Sequence, residues 1–225
     1  MTVRPIVHPR LLLKAIAGIT SSETTFDKFQ LETGITSKTV AKDILEFLKS
    51  NQIGSITSGR ALFTASDKLK TAIISIKMGC DTEEISKYLC WKDFELLASE
   101  MLVSAGYKTQ SNLRFTKPRM EIDVVGINAS LAVVVDCKHW EKSNLSSILL
   151  CARKQIKRTE SLLWRLQENY DYRNVTRAIP AILTLHAEKV KFLEGIPIIP
   201  ISHFRSFIEN IQGYLRTIQT VARVN

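Results

Sequence analysis

No CxxC pair occurs among the four cysteines, Cys80, Cys90, Cys137 and Cys151, and His139 is the only histidine close to one of them in sequence. That pattern argues against a zinc site, which draws its ligands from closely spaced cysteine and histidine pairs. Cys137 and Cys151 fall inside apolar runs, where a free thiol behaves as a small hydrophobe. No apolar stretch approaches the roughly 18–20 residues of a membrane span. Nor is there a signal-peptide pattern, so the expectation is a cytoplasmic protein in a reducing compartment, with no membrane partner. Low-complexity linkers and internal repeats are missing as well.

What is present is a globular composition of 225 residues, 45% hydrophobic and 24% charged. Disordered chains have too little apolar surface to fold, and this one does not. The formal net charge is +9, which favours polyanionic partners, DNA first. The excess is not confined to a tail. Residues 1–75 hold 10 Lys and Arg against 6 Asp and Glu, and the remainder is also mildly basic.

The first third alternates helical and turn signals. PRLLLKAIAG (9–18) predicts a short helix with proline near its start and glycine at its stop. TSSETTFDKFQLETG (20–34) offers N-cap residues and a second helix closed by Gly34. In ITSKTVAKDILEFLKSNQ (35–52), Ser37 caps a third helix whose apolar face is Val40, Ile44, Phe47 and Leu48. IGSITSGRALFT (53–64) reads as a hairpin turning at Ser58–Gly59. Helix, helix, short turn, helix and hairpin resembles the winged helix-turn-helix family over about 60 residues. The resemblance implies that Ser37, Lys38, Thr39 and Lys42 face DNA from the third helix, with Arg60 on the wing. A winged helix used for protein contacts is the other reading. The expected domains are a winged helix at 1–75, a helical connector at 76–90 with Asp81 as an N-cap, and a second domain at 91–225.

That second domain opens with WKDFELLASEMLVSAGYKT (91–109), a helix ending near Gly106. Its apolar stripe is Phe94, Leu97, Ala98, Met101, Leu102 and Ala105. Glu95 lies at the edge of that stripe, an expensive place for an acid without a partner. Trp91 reads as core. In RMEIDVVGINASLAVVVDCKHW (119–140), two apolar runs flank a turn. By strand alternation Ala132, Val134, Asp136 and Lys138 share one face, and Glu121 and Asp123 share another. A turn centred on Ala129–Ser130 sets Asp123 opposite Asp136; one centred on Asn128–Ala129 sets it opposite Val134. Residues 144–168 read as a long amphipathic helix, 178–187 as a third buried strand, 195–204 as a short fourth strand, and 203–218 as a final helix. The fold class is α/β, a sandwich with helices on both faces of a central mixed sheet.

Two carboxylates on adjacent strands suit a hard divalent cation, because magnesium takes oxygen ligands and keeps several waters. Asp123, then Asp136-Cys137-Lys138 at the end of an apolar strand, after a helix bearing Glu95, resembles the PD-(D/E)XK nuclease superfamily over roughly residues 90–205. The pattern is most similar to its Mrr-type, type IV restriction-endonuclease-like branch, whose core the archaeal Holliday junction resolvases share. Ile122 stands where the motif name has proline, and the second acid is aspartate instead of the commoner glutamate. The resemblance implies Mg2+ or Mn2+ bound by Asp123, Asp136 and Glu95, with Lys138 assisting the attacking water. It implies a metal-dependent endonuclease of restriction or repair type, acting on DNA as a homodimer. The alternatives are a junction-selective nuclease and a DNA-binding regulator whose nuclease-like domain is not catalytic. Arg153 and Gln155 are accessory candidates that equally suit a solvated helix face. His139 alternates away from Lys138 and is not expected to be catalytic, and Trp140 reads as core or rim.

Overall fold

A computed structural model describes residues 7–20, 23–57, 59–117, 119–138, 145–168, 170–185 and 190–223. Chain contacts divide it into two units, Met1–Cys90 and Trp91–Asn225. No described helix is long and apolar enough to cross a membrane.

The first unit runs α1 (Pro9–Gly18), β1 (Glu23–Thr25), α2 (Phe26–Thr33), α3 (Lys38–Ser50), β2 (Ser55–Thr57), β3 (Arg60–Leu62), α4 (Ala65–Lys77) and α5 (Thr82–Ser86). The strands form an antiparallel sheet in the order β1-β3-β2. β1 adds to the sequence reading, which has only N-cap candidates ahead of the second helix. Residues 23–25 pair with 60–62, and Thr25 caps α2 by accepting a hydrogen bond from the Lys28 amide. Three residues carry too little local signal to compete with a helix pattern, so only the pairing reveals the strand. The hairpin register sets Thr57 against Arg60; Ser58 lies outside the described residues.

Capping chemistry accounts for several boundaries. Ser37 accepts from the Val40 amide at the start of α3, and Asp81 accepts from the Glu84 amide at the start of α5. Gly34 closes α2 in the left-handed region at φ +62°, where glycine meets no steric penalty. Gly18 has a different reason. A Cβ there would sit 2.5 Å from Thr33 Cγ2 and 2.9 Å from Phe29 Cδ2, so its bare backbone lets α1 close on α2. The core gathers Leu12, Phe29, Ile44, Leu48 and Ile53, all fully buried. Residues 76–90 are part of this unit and not a separate connector, with Ile85 fully buried.

The second unit contains α6 (Trp91–Ser104), β4 (Lys108–Thr116), β5 (Arg119–Asn128), β6 (Leu131–Lys138), α7 (Leu145–Glu168), β7 (Arg177–Thr184), β8 (Phe192–Leu193), β9 (Ile196–Pro200), α8 (Ile201–Glu209), α9 (Ile211–Tyr214) and β10 (Val221–Ala222). Its seven-stranded sheet has the order β4-β5-β6-β7-β9-β8, with β10 beside the start of β7. β4-β5-β6 pair antiparallel and β6-β7-β9 parallel, so the class is mixed α/β. β4 is a strand the sequence reading missed: it alternates exposed and half-buried residues and lacks the apolar run that marks a central strand. β6 and β7 have that run and are buried almost throughout. Trp91 corrects a second expectation, being 52% exposed at the start of α6, with the Lys92 ammonium over its ring.

Candidate active site and basic surface

Register is the first thing tertiary structure supplies. β5 and β6 pair from Asn128 with Leu131 to Val124 with Val135, which is the turn centred on Ala129–Ser130. Asp123 and Asp136 are the next residues along the two strands, beyond the last pair, Val124 with Val135. The ladder stops there although both strands continue. In place of a backbone partner, the Asp123 carboxylate takes the Cys137 amide at 2.7 Å. On its other side, β4 passes from Ser111 opposite Val124 to Leu113 opposite Ile122. Between them stands Asn112 at φ +55°, a left-handed conformation asparagine tolerates better than most residues. Ile122 and Val125, three residues apart, share one apolar cluster with α7. Strict two-residue alternation therefore does not run through Asp123.

Asp136 is 2% exposed and held by two cations. Lys138 Nζ lies 2.9 Å from Oδ2 and 3.0 Å from Oδ1, and its hydrogen bond runs to Oδ1. Arg158, reaching from α7, donates Nη1 to Oδ1 at 2.8 Å. Oδ2 has the ionic contact but no hydrogen bond. Burial alone would lower the Lys138 ammonium, yet attraction and the hydrogen bond to Asp136, with Asp123 behind them, leave it raised. Lys138 is thus a fixed positive charge, not a base.

Glu95 is 3% exposed on α6. Burial, then repulsion from Asp123 and Glu121, raises its carboxyl to about 7, against the opposing pull of Lys138 and an Asn112 hydrogen bond. One carboxylate oxygen, Oε2, is buried without a hydrogen bond. Asp123 is also raised, by burial and then by Asp136, although the Cys137 amide, Lys138 and Arg158 oppose this. The Cys137 thiol is pushed well up by burial and then by Asp123, Glu95 and Asp136. The Cys137 thiol thus feels the charge of all three acids.

A pH dependence follows. Glu95 binds its proton more tightly folded than unfolded, so this group's contribution to stability declines as pH rises from about 4.5 to about 7 and then levels off. Asp123 acts in the same direction. Glu95→Gln removes the larger share. Between about pH 5 and about pH 8, urea unfolding should show the variant gaining on the wild type by on the order of 3 kcal/mol. An equal difference at both pH values would refute the assignment.

The four sequence candidates thus meet at one end of the sheet, Asp136 and Lys138 in direct contact. The accessory candidates separate. Arg153 is on the solvated face of α7, paired with Glu194 at 2.9 Å and 61% exposed. Gln155 is fully buried and donates Nε2 to the Val134 carbonyl at 2.8 Å. Level with Val134 in β7 is Pro180, which brings no N–H to the ladder. Gln155 belongs to the buried stripe Ile148, Ala152, Gln155, Thr159, Leu162 and Leu166, whose spacing of four and three was legible before folding. Arg158 and Asn112 were missed. Arg158 follows Gln155 of that stripe by three residues, a usable signal; nothing local marked Asn112. His139 and Trp140 lie outside the described residues.

The donors suit a hard cation in kind: carboxylate oxygens, two of them buried without hydrogen bonds. Among the described residues, however, no three His, Cys, Asp or Glu side chains are grouped to hold a metal ion. Asp123 and Asp136 would be the residues to hold such an ion, with retained waters and no closed three-acid cage.

In the first unit, Ser37, Lys38, Thr39, Lys42 and Arg60 are all exposed. Arg60 pairs with Glu23 at 3.0 Å. A cavity of about 710 Å3 between α3 and the β2–β3 hairpin is lined by Lys42, Lys49 and Arg60, with Glu46 as the one acid. Lys49 adds a cation the sequence reading did not single out, one turn of α3 beyond Leu45.

No protein-family model matches this chain, and no curated protein does. Among solved structures, protein VC1899 from Vibrio cholerae is similar at 12% identity with a TM-score of 0.39. The match covers 93% of this chain and 51% of that one, so this chain spans about half the length of VC1899.

Proposed function

We propose that the protein is a Mg2+- or Mn2+-dependent DNA endonuclease of restriction or repair type, with a restriction-endonuclease-like second unit and a winged-helix DNA reader as its first. The observation that carries this reading is Asp123, bonded to the Cys137 amide beside Asp136, with Lys138 bound to Asp136 at the end of a buried strand. The cation, held by Asp123 and Asp136, would polarise a phosphodiester and ease ionisation of water. Lys138 stays protonated and stabilises the charge that builds on phosphorus oxygens. Glu95, near pH 7 in its titration, holds or releases a proton close to Asp123. Exposed Lys38, Lys42 and Arg60 support DNA contact by the first unit, where each phosphate neutralised steepens salt dependence. Cutting both strands calls for two sites, hence a homodimer.

The absence of a three-acid group among the described residues favours a second reading, a DNA-binding regulator with a non-catalytic nuclease-like unit. One assay separates them. Plasmid, linear duplex, single-stranded and four-way-junction DNA are incubated with the protein in Mg2+, Mn2+ or EDTA. Metal-dependent cutting supports the nuclease, and the preferred substrate ranks restriction against junction resolution. Tight DNA binding with no cutting in either metal supports the regulator.

A further inference from the structure

The contacts of Asp136 contain a problem for the nuclease reading. Its carboxylate is 2% exposed and already carries two cations. A divalent ion arriving by itself would meet Lys138 and Arg158, whose positive charges balance Asp123 and Asp136. In a partly dry site that repulsion is weakly screened. The two cations differ in how they could give way. Lys138 is two residues along the same strand and touches both carboxylate oxygens. Arg158 comes from another element, spends one donor on one oxygen, and is 26% exposed. Four of a guanidinium's five N–H donors remain, in a planar fork that matches a phosphate.

We propose that Arg158 is a phosphate-released latch: its guanidinium occupies Asp136 until a DNA phosphate takes it, and only then does Asp136 become a ligand for a divalent cation. The inference rests on the metal-site reading given above. Phosphate supplies the negative charge that the incoming cation needs, and it draws Arg158 toward the substrate while Lys138 stays. Metal and DNA then bind cooperatively. By linkage each tightens the other by the same factor. The device restrains metal loading in the absence of substrate.

The test reads metal binding, not cutting. Mn2+ is titrated by electron paramagnetic resonance into the full chain, with and without a short phosphorothioate duplex, after subtracting Mn2+ bound by the DNA. For the wild type, the duplex is expected to tighten Mn2+ binding about 10- to 100-fold. A duplex with neutral methylphosphonate linkages should leave it unchanged. In Arg158→Ala, Mn2+ should bind without DNA at least tenfold more tightly than to wild type, and the effect of the duplex should fall to about twofold or less. Should alanine disturb folding, Arg158→Gln drops the charge but keeps a donor of similar reach, and the same result is expected. Wild-type Mn2+ affinity indifferent to the duplex, or unchanged by both substitutions, overturns the latch and leaves the nuclease reading standing on its cutting assay. If no form binds Mn2+ with or without DNA, the metal site itself is refuted and the latch with it.

Discussion

Asp136→Asn is expected to lower metal-dependent cutting by about 10^3-fold or more, while the protein still folds. Asparagine keeps the shape of the side chain and a carbonyl oxygen but loses the charge. It removes half of the two-acid set and unties Lys138 from Asp136, which on the proposed function holds it for the reacting phosphate. Loss of an interaction made with the reacting group should appear in kcat as well as in kcat/KM. The folding cost is bounded by the partners left behind. Lys138 and Arg158 are 23% and 26% exposed, so water reaches both. A loss of about 1–3 kcal/mol is the scale for an unpaired group of this kind, below the cost of stranding a fully buried charge. Arg153→Ala is the companion variant. Its guanidinium serves an exposed pair with Glu194, and cutting should stay at the wild-type level. Asp136→Asn cutting at the wild-type rate would sink the assignment of Asp136. A comparable loss in Arg153→Ala would mean that the charge of α7, and not this site, is what matters.

Phe94→Ala is expected to be among the most destabilising changes in the second unit, at about 3–5 kcal/mol. Phe94 is among the largest side chains with no exposure at all. It is buried in the first turn of α6, one residue before Glu95. Deleting a buried ring removes its transfer free energy and leaves a cavity that close-packed neighbours fill only in part. Because the chain has two units, urea unfolding followed by probes in each should show the effect in the second only. Phe94→Leu, which refills most of the volume, should recover much of the loss. An unshifted midpoint in Phe94→Ala would show that α6 is not held as its burial indicates. The expected side effect is chemical: with α6 loosened, water reaches Glu95, and its carboxyl should move from about 7 back toward 4.5.

These expectations come from different depths of the sequence. The helix α3 with its Ser37 cap, the long α7, and the buried strands β6 and β7 could be read directly, because capping and apolar period are local properties. Weakly apolar edge elements could not. β1 and β10 are held by pairing with residues distant in the chain, and β4 has no apolar run of its own. Gly18 was read as a stop signal, yet its absent side chain serves the approach of α1 to Thr33 and Phe29. Trp91 was read as core because tryptophan is large and apolar, but it opens α6 and faces solvent.

At the candidate site the division is sharper. The amino-acid sequence by itself determined which groups carry the charge: two aspartates and a lysine at the ends of apolar runs, and a glutamate at the edge of a helical stripe. Strand alternation put Asp136 and Lys138 within reach of each other without reference to the rest of the chain. Only the tertiary structure decided that the turn falls at Ala129–Ser130, which brings the Asp123 carboxylate to the Cys137 amide beside Asp136. Only it decided that Arg158 meets Asp136. Alternation and capping act over a few residues and are written in the residues themselves. A hairpin register and a contact 22 residues away depend on which packing of the whole sheet and its helices is lowest in free energy, and no short stretch contains that information.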